Sequence, residues 1–478
     1  MPFDRIILVT IDCLRADHIG LIGGHNLTPN MDKLAREGLL FMKAFSNGFA
    51  TSQSFVSIFS STYPLVSTVM NLNPYLNTLA ESLEKGGYLT LGLHSNPFLS
   101  KMLGWSKGFR IFYDFMDVIK SPSRMFVENE FVGKILNRIL PYEKNVKTWN
   151  LFRKIYYKVV KFQIPYIDAE VLTDIATKVI TKIVHAGNKR FFLWIHYMDP
   201  HAPYVPPHPY LEHFSSRKEA FMFNIIFDLK KFQSRYNTSS NVEIDNYELI
   251  TLKNLYKGEV LYVDENIGKF ITFLEEENLL NNTLFILTAD HGEAFFEHGK
   301  FGHDYNTPHN EVIHVPLLIY GKEFLPRLII DYPVQLLDLA PTILDLLGLK
   351  NPSSFMGTSI KSIIGDYVQS KLKKNVPIFS ESAKSNVPEL KYDDGIKVIS
   401  CIKFPWKIIV NEEEKSIELY DLNRDFSEKN NLAQFHVDVV EELKEAILRH
   451  LFEVMKMRHR IKLMERYVWK IREQCVKE

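Results

Sequence analysis

Two carboxylates and an imidazole stand where this 478-residue chain can do chemistry. The apolar run Leu284-Phe285-Ile286-Leu287-Thr288-Ala289 delivers Asp290-His291-Gly292-Glu293, and the run from Arg5 to Ile11 delivers Asp12. Short apolar runs of this kind read as buried strands of a parallel sheet. Such sheets place their chemistry beyond the carboxyl ends of the strands. Carboxylates and an imidazole from two strand ends are a ligand set for a divalent cation. Asp12, Asp290 and His291 are therefore candidate ligands of one ion, with a position left for an activated nucleophile. Thr51 suits that role. It follows the small polar stretch Ser46-Asn47-Gly48-Phe49-Ala50 and opens an apolar helical run, so the positive end of a helix favours an anionic group in front of it. A threonine before a helix is more often only a cap, and a free hydroxyl is a poor nucleophile; metal ligation would lower its pKa.

Two further clusters follow buried strands. Trp194-Ile195-His196-Tyr197-Met198-Asp199-Pro200-His201 offers Asp199 and His201 to a second metal or to the anionic group itself. Glu297-His298-Gly299-Lys300-Phe301-Gly302-His303 offers His303 close behind the Asp-His pair. A lone histidine in a loop is usually a surface residue, but several histidines and acids after strands of one sheet form a pattern.

The elements that must position these groups alternate. Strands are predicted at Leu39 to Phe45, Tyr88 to His94, Phe191 to His196, Leu284 to Ala289 and Val315 to Tyr320, with helical patterns between them. Thr28-Pro29 reads as N-cap and first helical residue, and Tyr256 to Glu277 as a long helix carrying Asp264. The expected fold is α/β, a mainly parallel sheet flanked by helices, in a catalytic domain over 1–380. A variable helical insertion is expected at about 105–185. Within it, Tyr142 to Phe162 carries six Lys and Arg against one acid, with aromatics interleaved. That composition fits a lid or a peripheral membrane contact, and more often a solvated helix face. Residues 381–478 read as a C-terminal α+β subdomain: short strands at Lys397 to Cys401, Trp406 to Val410 and Ser416 to Tyr420, then one long helix from about His436. That helix, rich in Lys and Arg toward its end, reads as a packing or homodimer element, with membrane contact as the lesser use.

Lys+Arg and Asp+Glu balance at 57 each, which argues against a dedicated nucleic-acid binder. Cys13, Cys401 and Cys475 make no disulfide framework. A strand starting by Arg5 and the lack of a bilayer-length apolar run lead to the expectation of a soluble, cytoplasmic protein.

At this point the chain resembles the sulfatase family of the alkaline phosphatase superfamily. The resemblance rests on Ile11-Asp12-Cys13-Leu14-Arg15-Ala16-Asp17-His18, Thr28-Pro29-Asn30-Met31-Asp32-Lys33-Leu34-Ala35, Ser54 to Pro64 and His196 to Tyr204. It continues through Tyr262-Val263-Asp264, Thr288 to Glu293, Asp338-Leu339-Ala340-Pro341-Thr342 and Glu418 to Leu422, colinear over almost the whole chain. Formylglycine-dependent members carry Cys or Ser, then Pro and Arg; here Thr51 takes the nucleophile position, with Gln53 for Pro and Phe55 for Arg. Thr51 cannot become formylglycine by that route. Cys13 stands where calcium-binding members have a second Asp and reads as a small buried filler, with a thiolate ligand as the lesser alternative. Threonine nucleophiles occur in phosphodiesterase and phosphoglycerol-transferase members of the superfamily, which use manganese or zinc. The resemblance thus implies a primary site of Asp12, Thr51, Asp290 and His291, and a second at Asp199, His201 and His303.

The expected activity is metal-dependent hydrolysis of an anionic ester, a phosphoester for preference, by attack of metal-bound Thr51, with His201 or His303 moving protons. One or two divalent ions are expected, manganese or zinc before calcium or magnesium. The substrate is a small-molecule or glycan- or lipid-linked anionic ester. Alternatives are sulfate-ester hydrolysis without formylglycine, transfer of a phospho-alcohol headgroup, and a non-catalytic anionic-glycan binder.

Overall fold

The structure is a computed structural model that describes residues 3–67, 71–114, 167–216, 244–303, 307–322, 324–369, 376–386, 391–412 and 414–477. Eight strands form the main sheet: β1 (Arg5–Ile11), β2 (Leu39–Phe45), β3 (Leu89–His94), β4 (Ile111–Tyr113), β5 (Phe191–Tyr197), β6 (Thr283–Ala289), β9 (His314–Tyr320) and β10 (Leu328–Gln335). Between β6 and β9 lies the short hairpin of β7 (Ala294–Phe295) and β8 (Phe301–Gly302). The spatial order is β10-β2-β9-β6-β1-β5-β3-β4. β9 runs antiparallel to both neighbours; every other pairing is parallel.

The order explains the site. β1 is central, in register with β5 (Ile11 with Tyr197) and β6 (Ile11 with Ala289), so the chain leaves all three strands at one edge. Asp12, Met198 and Asp290 are therefore neighbours by construction. β1, β5 and β6 are buried along almost their entire length, because helices cover both faces and leave no polar alternation. The 31-residue helix Asn246–Glu276 opens with a capping box, Asp245 with Glu248, and begins ten residues earlier than its periodicity predicts. Its buried Asp264 reaches across to the helix Pro29–Arg36, accepting the backbone N–H groups of Asn30 (3.1 Å) and Met31 (2.9 Å). Asp264 thus neutralises a helix N-terminus and fixes two covering helices to each other. Thr28 is the N-cap residue as predicted, but its hydroxyl accepts Gly20 N–H and donates to Asp32 rather than capping the helix.

Two spans hold elements that were not expected. Within the span 105–185, expected as an insertion, β4 pairs with β3, and the helix Ala169–His185 packs on the sheet and the long helix. Trp105 and Leu172 belong to the main core. The basic aromatic segment Tyr142 to Phe162 lies outside the described residues. The boundary placed at 380 falls inside a strand: β11 (Ile378–Asn386), β12 (Lys391–Lys403), β13 (Trp406–Asn411) and β14 (Ser416–Asp421) form an antiparallel sheet in that order. β11 was missed because serines and Lys384 break its apolar alternation. The helix Val437–Lys477 packs on this small sheet through Val440, Leu443, Ile447 and Val454. No helix among the described residues is long and apolar enough to cross a membrane.

Candidate active site

Thr51 is the first residue of the helix Thr51–Ser60, whose ten residues are all buried. Its N-cap, Ala50, has no side chain that can cap, so the helix start presents its positive end to the site without a built-in anion. The preceding loop is fixed from the back. Asn47 donates to Gln335 and to the Phe379 carbonyl, both at 2.8 Å, and Ser46 and Ser54 share a hydrogen bond of 2.8 Å. Gln53 accepts Phe49 N–H at 3.2 Å and donates to Ser382 at 3.1 Å, so it serves the loop's geometry. Phe55 points into the core beside Trp194 and His196, with ring centroids 5.2 and 5.1 Å away.

Facing Thr51 is the end of β6. Thr51 Oγ1 lies 3.3 Å from His291 Nε2. His291 Nδ1 donates to the Gly292 carbonyl at 2.9 Å, which leaves the lone pair on Nε2. That nitrogen is 3.5 Å from Asp290 Oδ2 and 3.8 Å from Asp12 Oδ1. Glycine is required at 292, since a Cβ there would sit 2.2 Å from the Glu311 carbonyl oxygen. Burial, and then the neighbouring His303, hold the His291 imidazole neutral, at about 3. Asp290 is pushed well up by burial and by the charge of Asp12, and its Oδ2 is buried with no hydrogen-bond partner among the described residues. Burial would also raise Asp12, but His201, His196 and His291 outweigh it and hold Asp12 well below the usual carboxylate range.

The second and third clusters divide. His201 and His303 come to the site: their rings are 5.2 Å apart, and His303 lies 4.3 Å from the ring of His291. His303 Nδ1 donates to Glu293 Oε1 at 3.0 Å, and Tyr204 donates to Glu293 Oε2 at 2.7 Å, an arrangement that orients an imidazole from behind. Burial raises Glu293, yet His303 brings it down to about 2. Asp199 does not join. Its Oδ2 accepts Ala169 N–H at 2.8 Å, at the start of the helix Ala169–His185, and it belongs to no ligand grouping among the described residues. That bond sets one oxygen of a buried carboxylate against a helix N-terminus.

Two residues at this edge were missed, and a third was given only as a lesser alternative. Asn96, just beyond β3, donates to Asp12 Oδ2 at 2.9 Å. His196, the penultimate residue of β5, lies 3.4 Å from the same oxygen, and its Nδ1 meets Thr10 Oγ1 at 2.9 Å. Cys13 is fully buried, as a filler would be, but it stands beside the candidate ligands. Its Sγ lies 3.2 Å from Asp12 Oδ1 and 3.5 Å from His303 Nδ1, on a backbone held at φ 61° by Tyr256, which donates to its carbonyl. The available signal was positional, since each of the three sits at the same strand-end edge. Arg15, by contrast, faces away and clamps Asp17, Glu297 and the Glu293 carbonyl.

Candidate ligand atoms fall within 4.8 Å of one another in three overlapping groups: Cys13, His291 and His303; Asp12, Cys13 and His201; Asp12, His196 and Asp290. Buried carboxylates, a partnerless Asp290 oxygen and a neutral imidazole with its lone pair directed inward fit a divalent cation. A fourth grouping, His298, His309 and Glu311, does not. His298 donates from Nδ1 to Glu311 (2.7 Å) and from Nε2 to the Glu428 carbonyl (2.9 Å), stacked 3.7 Å from His309. Burial lowers His298, but Glu311 more than restores it, to about 9. It is an imidazolium tying the β7–β8 loop to the C-terminal subdomain. Because its folded pKa exceeds the unfolded value of about 6.5, its contribution is complete below that pH and disappears as pH rises toward 9. We expect up to about 3 kcal/mol of stability to be lost over that window. Urea midpoints taken at both ends for the native chain and for His298→Gln check it; the variant should lack this slope.

A strand-edge cluster of buried carboxylates and imidazoles facing a helix-start hydroxyl defines a hydrolase of the alkaline-phosphatase type. The sulfatase family profile matches residues 4–349, and the N-sulphoglucosamine sulphohydrolase C-terminal profile matches 296–454. The chain belongs to the sulfatase family, whose members are metal-dependent hydrolases of anionic esters. It is 23% identical to an arylsulfatase of Clostridium perfringens over 94% of both chains. A phosphonate monoester hydrolase of Silicibacter pomeroyi superposes with a TM-score of 0.68 at 21% identity, covering 94% of this chain and 95% of that one. A structure described in complex with its substrate, D-glucosamine-2-N,6-O-disulfate, gives 0.65 at 18% identity, covering 95% of this chain and 98% of that one.

Proposed function

We propose that the protein hydrolyses a phosphorus ester, a phosphodiester, phosphomonoester or phosphonate monoester, with Thr51 as nucleophile. The observation that carries this reading is the approach of Thr51 Oγ1 to His291 Nε2 at the start of a buried, side-chain-uncapped helix. Asp12, Asp290, His291 and the Thr51 oxygen would hold one divalent cation. Cys13, His201 and His303 would face a second ion or the ester's charged oxygens. A bound cation supplies positive charge that favours the ionised hydroxyl and offsets charge on the equatorial oxygens. Thr51 Oγ forms the bond to phosphorus as the bond to the leaving alcohol breaks, and His201 or His303 donates the proton that the alcohol carries away. The same histidine then takes a proton from water, whose oxygen displaces Thr51 and releases the acid. Asn96 and His196 hold Asp12 from behind.

Sulfate-ester hydrolysis by unmodified Thr51 is the second reading, supported by the likeness to an arylsulfatase along the chain. The sulfated sugar of the structural neighbour makes a glycan-linked ester a natural candidate for either reading. A turnover panel of p-nitrophenyl sulfate, p-nitrophenyl phosphate, bis-p-nitrophenyl phosphate and a p-nitrophenyl phosphonate, each with added manganese or zinc, separates the two. Highest kcat/KM on a phosphorus ester supports the first; highest kcat/KM on the sulfate rejects it.

Cys13 bears on the metal. A thiol among imidazoles favours zinc over calcium, which prefers an all-oxygen shell. We expect the native chain, dialysed against equal zinc and calcium, to retain zinc, and Cys13→Asp to move retention toward calcium. Elemental analysis reads both.

A further inference from the structure

The helix Val437–Lys477 has two apolar faces, and the fold covers one. Val440, Leu443, Ile447, Val454 and Ile461 are buried with the small sheet. On another face Leu448, Phe452, Met455 and Leu463 are 66, 69, 38 and 50% exposed. With His459 these follow one another at intervals of four, three, four and four residues, which is one continuous stripe of an α-helix. Leu448 to Leu463 gives a seam of about 22 Å. Singly exposed apolar residues need no explanation; an aligned row on a long helix does.

A two-fold axis through the midpoint between Met455 and Lys456 pairs four of the five stripe positions with one another. An antiparallel copy of the helix crossing there sets Leu448 against Leu463 and Phe452 against His459. It also sets Glu445 against Arg466, both exposed. Glu445 and Glu441 lie on the acidic first part of the helix, whereas Lys456, Arg458, Arg460, Lys462 and Arg466 follow the midpoint. A parallel pair would set every charge against its own kind; the antiparallel arrangement sets Glu445 against Arg466 and leaves Arg449 and Lys462, both exposed, as the like pair beside the stripe. Within one chain Glu445 is already paired with Arg449, four residues on, so the acid is held on the surface where a partner would meet it.

We infer that this face is an antiparallel two-fold interface with a second copy of the chain. Sedimentation equilibrium of the full chain at micromolar concentration should give a dimer. Phe452→Glu should raise its Kd by at least about a hundredfold, since a central aromatic is replaced twice by a charge. Its circular dichroism and melting temperature should match the native monomer, because the residue is exposed. Glu445→Arg and Arg466→Glu should each weaken the dimer, and the double variant should restore it. A native monomer, including one that instead binds vesicles of anionic phospholipid, overturns the proposal. So does a dimer indifferent to Phe452→Glu, or a double variant as weak as either single one.

Discussion

Thr51→Ala is expected to lower kcat on the preferred ester by at least about three orders of magnitude, equivalent to about 4 kcal/mol of transition-state stabilisation. The substitution removes the oxygen that lies 3.3 Å from His291 Nε2 and leaves the helix start with the same backbone. Folding should be unchanged, because Ala50 rather than Thr51 is the N-cap residue and Thr51 makes no capping bond. Metal content should fall little, since Asp12, Asp290 and His291 remain. Thr51→Ser keeps a hydroxyl in the same place and should recover most of the rate. The measurement is single-turnover kinetics, with elemental analysis of the same preparations. A Thr51→Ala protein of native turnover would remove the nucleophile assignment and leave the family assignment untouched.

The second large effect is at Asp290, and its two parts have opposite signs. Asp290→Asn should abolish stoichiometric metal and lower activity by about three orders of magnitude or more, because it removes one charge from the ligand set. In the presence of a chelator the same variant should melt no lower than the native chain, and we expect it to melt higher. Without a cation, Asp12 and Asp290 are two fully buried carboxyls, and burial together with the charge of Asp12 pushes the Asp290 carboxyl well up. Removing the second ionisable group removes that conflict. Added zinc or manganese should raise the melting temperature of the native chain through binding to the folded state, and should not raise that of the variant. Thermal melts of both proteins with chelator and with metal read all four cases. A variant that still gains stability from metal would show that Asp290 is not a ligand.

Much of this was legible in the residues, and the parts that were not share a cause. Asp12, Asp290 and His291 follow uninterrupted apolar runs, so both their strand-end position and their ligand chemistry are local properties. Asn96 and His196 have no such local mark. Each is an ordinary polar residue near the end of a strand, and only the order β1-β5-β3 brings both to the same oxygen of Asp12. Asp199 shows the converse. Its setting in the sequence is as good as that of Asp290, but the helix Ala169–His185 begins against it and binds one of its two oxygens.

The sequence by itself determined the fold family, the strand ends that carry chemistry, the threonine in the nucleophile position and the absence of the formylglycine pattern. Those follow from hydrophobic periodicity and from residue types at fixed spacings, which operate within a few residues along the chain. Tertiary structure alone decided which acids and imidazoles share a site. It turned Cys13 toward His303 while Arg15 turned away, set Asp199 against a helix start, and clamped His298 between Glu311 and Glu428. These are contacts between segments far apart in sequence. Strand order and helix placement fix them, and neither is encoded in any single stretch of residues.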